Sequence, residues 1–438
     1  MSTTPAAPAA RSGGFRTLHL SDLLRRPVTD SAGGAIGRLS DVIVRLRGAE
    51  YPFVTGLVLT VGGRALFVPI EQIRGLDGAE LRLTSARLDL RQFERREGEV
   101  LLRADVLGHR LIDVQSAHLI RAADLALAPS AGQWVVTGVD TRRRARHLLR
   151  GATAQSAGYD AFREWAKFEP LIGHSGSALS RLPFGRIGRL RPAQIADLLE
   201  NASREEETEI LGQVHADPEL EADVFEELDE DLAARLLGAR TDAEIADVLG
   251  RMRADDAADA IAELPQRRRQ PVLDRLASGQ RAKVLTLLGF NPASAGGLMG
   301  MDFVTVGPSA LARDALHAVA AATTVQPEAL TSVHALDGRG RLHAVVKLTT
   351  LVQADPLTLV GAIADQDPVR VGPATDLVDV AVLMSDYNLI TIPVVDEHRV
   401  MIGLITVDDV LEAAVPEDWR RREAAEPPDA RGGGGDAD

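Results

Sequence analysis

Short apolar runs alternate with turn residues from residue 15 to about residue 90. The segments AIGRLSDVIVRL, FVTGLVLTV and ALFVPI predict strands, and the glycine pairs at 33–34 and 62–63 predict tight turns. A second stretch at 91–140 repeats this order with VLLRADVLGHRLIDV and QWVVTGVD. The repetition predicts an internal duplication of a small β-barrel.

A connector is expected at 141–190. Within it, the segment DAFREWAKFEP predicts a helical piece, in which Trp165 and Phe168 are three residues apart and share one face. We expect that face to dock against the next domain. His174, in the glycine-rich part of the connector, has no second ligand at a metal-binding spacing and is expected to be exposed.

The periodicity becomes helical at 191–295. Repeats of about a dozen residues each open with a polar residue or proline, and leucines three or four apart supply an apolar stripe. Helices this short must stack to bury a core, so the pattern predicts an α-superhelix. The expected N-caps are Ser203, Asp217, Asp229, Thr241 and Asp255.

An α/β pattern follows and occurs twice, at 296–358 and 359–416. Each copy reads as a strand, a helix and a hairpin, which predicts a tandem pair folded against each other. The ends of the chain, 1–14 and 417–438, have the composition of disordered tails. The predicted fold class is therefore multidomain α+β, with small β-barrels, then a helical superhelix, then an α/β pair.

Charge and composition exclude several functions. The net charge is −14 over 438 residues, which disfavours a nucleic-acid partner. The sequence contains no cysteine, no P-loop, no G-x-S-x-G and no HExxH, so we expect no enzyme. The sequence has no run of 18 or more consecutive apolar residues, so we expect no membrane insertion, and no signal peptide is apparent. We expect a cytoplasmic protein.

Three segments in the second half carry a resemblance to one family. RADDAADAIAELP at 253–265, AGGLMGMDFVTV at 295–306 and ITIPVVDEHRVMIGLITVDDVL at 390–411 resemble the intracellular region of MgtE-type magnesium transporters. The resemblance implies an MgtE N-terminal helical domain followed by a CBS pair. Residues 15–140 resemble two PRC-barrel modules, which implies docking of a protein partner.

The resemblance also implies what this chain is not. Family members continue after the CBS pair into a linking helix and membrane helices, whereas this sequence stops after EDWRRREAAE and a flexible tail. We therefore expect a sensor half fused to barrels, and not a channel. CBS pairs bury apolar helix faces against another pair, so we expect a homodimer through the CBS pair.

A magnesium site is implied by the resemblance. Carboxylates repel one another when the site is empty and are drawn together by the ion, so binding favours domain closure. The implied ligands are Asp255, Asp259, Gly297, Asp376, Asp409 and Glu412. Three acidic positions of the family read here as Arg235, Val378 and Asn388, so the site is thinned. The alternative is that Asp255 is an N-cap and Asp259 faces solvent.

An adenine nucleotide is the other implied ligand. CBS pairs use a Thr or Ser hydroxyl near phosphate and an Asp three residues later for ribose, and the second module keeps Thr406 and Asp409. The first module has Thr350 in place of the ribose carboxylate. Lys347 could still meet a phosphate, but the residues favour a solvated lysine at the end of a strand.

Three functions therefore stay open. The first is a magnesium-responsive regulatory or scaffold protein. The second is an adenine-nucleotide sensor that uses the CBS cleft. The third is a structural adaptor with no small ligand.

Overall fold

The computed structural model describes residues 17–47, 50–85, 91–96, 98–142, 162–171 and 186–415. Both predicted tails and His174 lie outside the described residues. The chain divides into two compact units, residues 1–233 and 234–438.

The first unit begins with β-structure. Its strands and one short helix are β1 (Leu18–His19), α1 (Leu20–Leu23), β2 (Pro27–Thr29), β3 (Ala35–Arg47), β4 (Glu50–Val61), β5 (Arg64–Pro69), β6 (Leu81–Arg82), β7 (Glu99–Leu101), β8 (Arg110–Asp113), β9 (His118–Arg121), β10 (Asp124–Ser130), β11 (Gln133–Asp140), β12 (Phe162–Glu164) and β13 (Phe168–Pro170).

The two sequence repeats share one sheet and exchange strands. Ten described strands, β1 to β7 and β10 to β12, form that sheet, and β8, β9 and β13 form a second one. Strand β1 of the first repeat pairs with β10 of the second. Strand β7 of the second repeat pairs with β3 of the first. Each repeat therefore supplies a strand that completes the other, and the assignment of both to PRC-barrel modules stays a prediction.

Two buried aspartates reinforce this exchange. Asp41 on β3 accepts hydrogen bonds from the backbone N–H groups of Arg103 at 2.7 Å and Ala104 at 3.1 Å, in the second repeat. Asp124 on β10 accepts from the backbone N–H of Ser21 at 3.1 Å and from its hydroxyl, in the first repeat. Each buried carboxylate thus finds its hydrogen-bond donors in the other repeat. Burial raises the pKa of Asp41 to about 6.

The predicted connector helix is wrong. Its described residues form β12, a 3-10 turn at Trp165–Lys167, and β13. Strand β12 pairs with β11 and β13 with β8, so pairing with distant strands overrides the helical spacing. Both Trp165 and Phe168 are buried in the core of the β-region. The prediction that this face docks against the next domain is therefore wrong, because both side chains pack in the core of the β-region that precedes them.

Eight helices follow among the described residues, as the repeats predicted. They are α2 (Pro192–Glu200), α3 (Arg204–Val214), α4 (Pro218–Glu226), α5 (Glu230–Gly238), α6 (Asp242–Leu249), α7 (Ala254–Glu263), α8 (Gln266–Leu273) and α9 (Ser278–Leu287). In the first unit α2 contacts α4, and in the second unit α6 contacts α8 and α7 contacts α9, so helices stack within each unit as the repeats predicted.

Four of the five predicted caps are confirmed. Ser203, Asp217, Asp229 and Thr241 each accept a hydrogen bond from a backbone N–H of the following helix. The fifth is wrong, because α7 begins at Ala254, so Asp255 lies in the first turn and Arg253 occupies the cap position.

One polar contact joins the β-region to α3 within the first unit. Arg110 Nε donates to Glu206 Oε1 at 2.8 Å, Arg110 Nη2 bonds the other oxygen, and Nη1 donates to the Asn201 carbonyl at 3.1 Å. Burial acts to raise the pKa of Glu206, but hydrogen bonds from Arg110 and Ser203 outweigh it and the pKa lies below its usual value.

The second unit ends in the predicted α/β pair. Its elements are α10 (Ala295–Leu298), β14 (Thr305–Val306), α11 (Ala312–Ala321), β15 (Ser332–Leu336), β16 (Leu342–Lys347), α12 (Leu348–Gln353), α13 (Val360–Ile363), α14 (Leu377–Asp386), β17 (Thr391–Val395), β18 (Met401–Thr406) and α15 (Val407–Ala414).

The two copies are joined through their hairpins. The N–H of Leu342 donates to the Arg399 carbonyl at 2.9 Å, and the N–H of Met401 donates to the Gly340 carbonyl at 3.0 Å. Leu342 also packs in one buried apolar cluster with Val395, Met401 and Leu404. The fold class is therefore multidomain α+β with a tandem α/β pair, as predicted.

We expect Arg110→Ala to destabilise the first unit. It removes a forked hydrogen-bond partner and leaves Glu206 partly buried, so the loss should be about 1–2 kcal/mol. Urea denaturation followed by near-ultraviolet circular dichroism measures it. Arg204→Ala, an exposed arginine at the start of the same helix, is the control and should change stability little. Equal effects of the two substitutions would contradict the assigned contact.

Asp41 should make stability fall as pH rises. Its pKa in the fold is about 6, above the ordinary 3.8, so the folded state holds more protons between these values. Its contribution is complete below pH 4 and is lost as pH rises through 6. The thermal midpoint of the wild type minus that of Asp41→Asn should therefore shrink from pH 4 to pH 7. A difference that grows over this range would refute the assignment.

Candidate functional site

Arg253 lies at the centre of an acidic cluster in the second unit. It precedes α7, and its guanidinium Nε donates to Asp256 Oδ2 at 2.6 Å on the same helix. Nη1 donates to Asp409 Oδ1 at 3.3 Å, and Nη2 lies 3.9 Å from Glu412 Oε2, both on α15. One guanidinium thus joins the helical region to the second α/β copy.

The first α/β copy also reaches this guanidinium. Gln326, in the loop between α11 and β15, accepts from Arg253 Nε at 3.2 Å and from Nη1 when its amide oxygen is turned toward the arginine. Arg253, Asp256, Gln326, Asp409 and Glu412 are called the Arg253 cluster below. Its members come from three parts of the second unit, so the cluster fixes their relative positions.

Asp409 is held from two sides. It is the third residue of α15, where Thr406 is the N-cap, and its Oδ2 accepts from the Thr406 N–H at 2.8 Å and hydroxyl at 2.9 Å. The Thr406 hydroxyl accepts in turn from the Asp409 N–H at 3.3 Å, which completes a capping box. Burial raises the pKa of Asp409 to about 6 against these hydrogen bonds, and the charge of Asp255 adds to the rise.

Asp255 is the second buried carboxylate next to this guanidinium. It lies in the first turn of α7, and burial raises its pKa, with the charge of Asp302 adding to the rise and the charge of Arg253 opposing it. Asp302 is itself paired with Lys283, whose ammonium lies 2.6 Å from each of its oxygens. Asp256, Asp409 and Glu412 thus share the one guanidinium of Arg253, and the charge of Asp255 also lies near it.

The other implied metal ligands are placed differently. Asp259 is exposed on α7. Asp376 caps α14, and its Oδ1 accepts from the Val378 N–H at 2.9 Å. Gly297 lies in α10, which is joined to the segment before Asp376 by the Ala295 N–H donating to the Thr375 carbonyl at 2.7 Å.

The six implied ligands are thus not gathered in one group. Asp409 and Glu412 meet at Arg253, whereas Gly297 and Asp376 lie on neighbouring segments joined by backbone hydrogen bonds. In the part of the chain that the structure describes, no group of three or more His, Cys, Asp or Glu side chains is arranged to hold a metal ion.

The positions that depart from the family pattern have local roles. Asn388 follows α14 with a φ of 50°, a left-handed conformation that asparagine tolerates and that ends the helix. Val378 is exposed in the first turn of α14, and Arg235 lies in α5.

The residues implied for nucleotide binding in the second copy already make hydrogen bonds within the protein. Thr406 is buried, and its hydroxyl both donates to and accepts from Asp409. Asp409 shares its other oxygen with Arg253. A ribose would therefore compete with Arg253 for Asp409. In the first copy, Thr350 lies in α12 and Lys347 is exposed at the end of β16.

Sequence reasoning missed Arg253, Asp256 and Gln326. The local signal for the first two was present, because an arginine three residues before an aspartate at a helix start can form an ion pair. Nothing in the sequence indicated that Gln326 or α15 would reach the same guanidinium, since those contacts join distant segments.

Two segments of the chain match known families. Residues 190–293 match the MgtE intracellular N domain, and residues 360–416 match the CBS domain. Among the described residues, no helix has both the length and the apolar character needed to span a membrane.

Two curated relatives are magnesium transporters named MgtE. The one from Thermus thermophilus is 36% identical over 183 residues, which is 40% of this chain and 40% of that protein. The one from Enterococcus faecalis is 27% identical over 135 residues, which is 31% of this chain and 30% of that protein. The match thus spans less than half the length of either relative.

Two solved structures resemble about half of the chain. The cytosolic domain of the Mg²⁺ channel MgtE in complex with ATP is 29% identical, with a TM-score of 0.49, and the match covers 52% of this chain and 92% of that one. The soluble part of a magnesium transporter is 23% identical, with a TM-score of 0.48, and covers 52% and 89%. By the sequence matches, residues 190–293 and 360–416 are related to the intracellular N domain of MgtE magnesium transporters and to CBS domains.

Proposed function

We propose that this chain is a cytoplasmic, non-enzymatic regulatory or scaffold protein that responds to magnesium and does not itself form a channel. The observation that carries the proposal is the excess of buried negative charge at the contact between α7 and α15. Asp255 and Asp409 are both buried, and each has a raised pKa beside a single guanidinium.

The charges at this contact do not balance. Asp255, Asp256, Asp409 and Glu412 supply four carboxylates and Arg253 one guanidinium, so these five groups carry −3 when all are ionised. Coulomb repulsion among partly buried carboxylates opposes the contact. An additional cation would relieve that repulsion and favour the closed arrangement.

The donor atoms suit magnesium better than a soft metal. All are oxygens, and Mg²⁺ keeps several waters while it is held through one or two carboxylates. A group of three protein ligands is therefore not required. Asp409 and Glu412 on α15 would hold such a hydrated ion, the nearby charge of Asp255 on α7 would favour its binding, and the ion would supply positive charge between the two helices.

The relatives support this assignment. They are named as magnesium transporters, and the matched segments are the helical and CBS regions that contain Arg253 and Asp409. We propose that the transport activity of those proteins is absent here and that the magnesium response acts on a partner. The β-region at the start of the chain is the proposed docking surface for that protein partner.

A second candidate function is adenine-nucleotide sensing. The Thr406 and Asp409 pair at the end of β18 favours it, and one similar structure was solved with ATP. In this chain, however, Asp409 is engaged by Arg253. A nucleotide would have to displace that contact, so we rank this function below the magnesium response.

The α/β pair carries the surface for self-association. Large apolar side chains are exposed on both copies. Single exposed apolar side chains are ordinary on a protein surface, whereas a group of them indicates an interaction site. Val378 and Val382 lie one turn apart on α14, 66% and 51% exposed, and Leu411 on α15 is 53% exposed. Val352 and Leu357 of the first copy are 67% and 63% exposed. We propose that a second copy of the chain covers this surface.

Magnesium should raise the thermal midpoint in a saturable way. A ligand that binds only the folded state stabilises it by about 2.7 kcal/mol at a hundredfold excess over Kd. Asp255→Asn should abolish most of the shift, whereas the control Asp247→Asn, on the exposed side of α6, should retain it. Calcium, potassium and ATP are the comparison ligands.

Each outcome of that titration decides between the functions. A shift with ATP and none with magnesium would support the nucleotide sensor. An unchanged thermal midpoint with every ligand would support a structural adaptor and would refute the magnesium response.

Self-association should depend on the exposed valines. We expect the wild type to sediment as a dimer at micromolar concentration, and the double substitution Val378→Glu/Val382→Glu to shift it to the monomer, because charges on α14 would be desolvated in the interface. Glu397→Gln, at an exposed hairpin position, is the control. A monomeric wild type would contradict the proposed interface.

A further inference from the structure

We infer that Arg253 is a tethered cation that holds α7 against the α/β pair when no metal is bound, and that a divalent ion must compete with it. The second half of this inference rests on the proposed magnesium response, whereas the first half stands without it. Arg253 would thus supply the positive charge that a dissolved cation would otherwise bring to these carboxylates.

The geometry of the guanidinium supports this role. Three of its nitrogens face three carboxylates, and these belong to both α7 and α15. A guanidinium has five donors in a fixed plane and stays charged at every pH that a folded protein survives. It therefore cannot release the carboxylates by losing a proton, as a histidine or lysine in the same place could.

Gln326 extends the contact to the first α/β copy. Its amide accepts from the same guanidinium, so one side chain touches the loop before β15 as well as α15. Arg253 thus joins the start of α7 to both copies of the pair. Loss of the guanidinium would free three segments at once.

Partial burial strengthens the ion pair between Arg253 and Asp409. Asp409 is buried, and the Arg253 side chain is 25% exposed, so water screens the pair only in part. Removal of one partner from such a pair also leaves the other carboxylate uncompensated, which costs more than the pair itself contributes. The contact between α7 and α15 should therefore persist in a chelator and should weaken sharply without Arg253.

Competition follows from the shared oxygens. A hydrated ion that binds Asp409 and Glu412 must use oxygens that already face Arg253. Because the arginine is part of the chain, its effective concentration at the site does not fall on dilution. Arg253 should therefore lower the apparent affinity for the ion, and its removal should raise that affinity.

Arg251 provides a matched control two residues earlier. Its guanidinium donates to Asp247 Oδ1 at 2.6 Å and to the Asp247 carbonyl at 2.7 Å, both on α6. The residue types and the position before α7 are alike, but these contacts stay within the helical region. Arg251→Gln thus removes an arginine ion pair with Asp247 on α6.

Hydrogen exchange in EDTA tests the inference on the full chain. In Arg253→Gln, amides of α7 and of α15 should exchange roughly tenfold faster than in the wild type, because the contact between the two helices is lost. Arg251→Gln should leave α15 unchanged, and Arg253→Lys should give an intermediate rate, since an ammonium keeps the charge but not the fork. Equal α15 rates in the two glutamine variants would overturn the inference.

A folding failure can be told apart from loss of the contact. Strands β15 to β18 form the sheets of the pair and should keep their protection in Arg253→Gln if only the contact is lost. If that variant unfolds, Glu412→Gln removes one partner at the exposed edge of the cluster and should speed exchange in α7 and α15 without affecting the strands of the pair. No change in α15 there would also count against the tethered cation.

Magnesium titration of the same variants separates the two proposals. If both are correct, half-saturation in Arg253→Gln should occur at a magnesium concentration several-fold lower than in the wild type or in Arg251→Gln. If magnesium changes no variant while α15 still loosens in Arg253→Gln, the magnesium response fails and the tethered cation stands. If magnesium acts equally on all variants, the ion does not compete with Arg253.

Discussion

A carboxylate taken out of water must receive hydrogen-bond donors or a countercharge, and the main polar contacts of this chain satisfy that condition across distant segments. Asp41 and Asp124 receive backbone N–H groups from the opposite repeat. Glu206 receives the fork of Arg110, and Asp409 receives Thr406 and Arg253. In each case at least one donor comes from another part of the fold, so burial of the charge also fixes how the parts are joined.

The same condition explains why the contacts of the Arg253 cluster can be exchanged for those of another cation. The donors to Asp41 from the other repeat are backbone N–H groups, which are fixed in place by the fold. The donors to Asp409 include the side chain of Arg253, which lies on a different element. A side chain can be displaced by another cation at modest cost, and a backbone N–H cannot. Regulation is therefore easier to build at the α7–α15 contact than within the β-region, although both contain buried aspartates with a raised pKa.

The sequence was informative where structure is local. The helices of the superhelix, four of their caps and the tandem α/β order follow from periodicity and capping residues close in the chain. The predictions that failed concerned segments decided by distant partners. Trp165 and Phe168 have helical spacing, yet pairing with β11 and β8 makes strands of their neighbours. Arg253 likewise stands beside an obvious acidic helix, but its contact with α15 spans 156 positions and leaves no local pattern.

The strand exchange in the β-region has a consequence for how this region can be divided. Strand β1 completes the second repeat and β7 completes the first, an arrangement with the reciprocity of an isologous dimer in which both partners belong to one chain. A single repeat would expose the edge of β3 or β10 with unpaired backbone groups. Such a fragment would bind a second copy of itself or aggregate, so the repeat in the sequence is not the unit that folds.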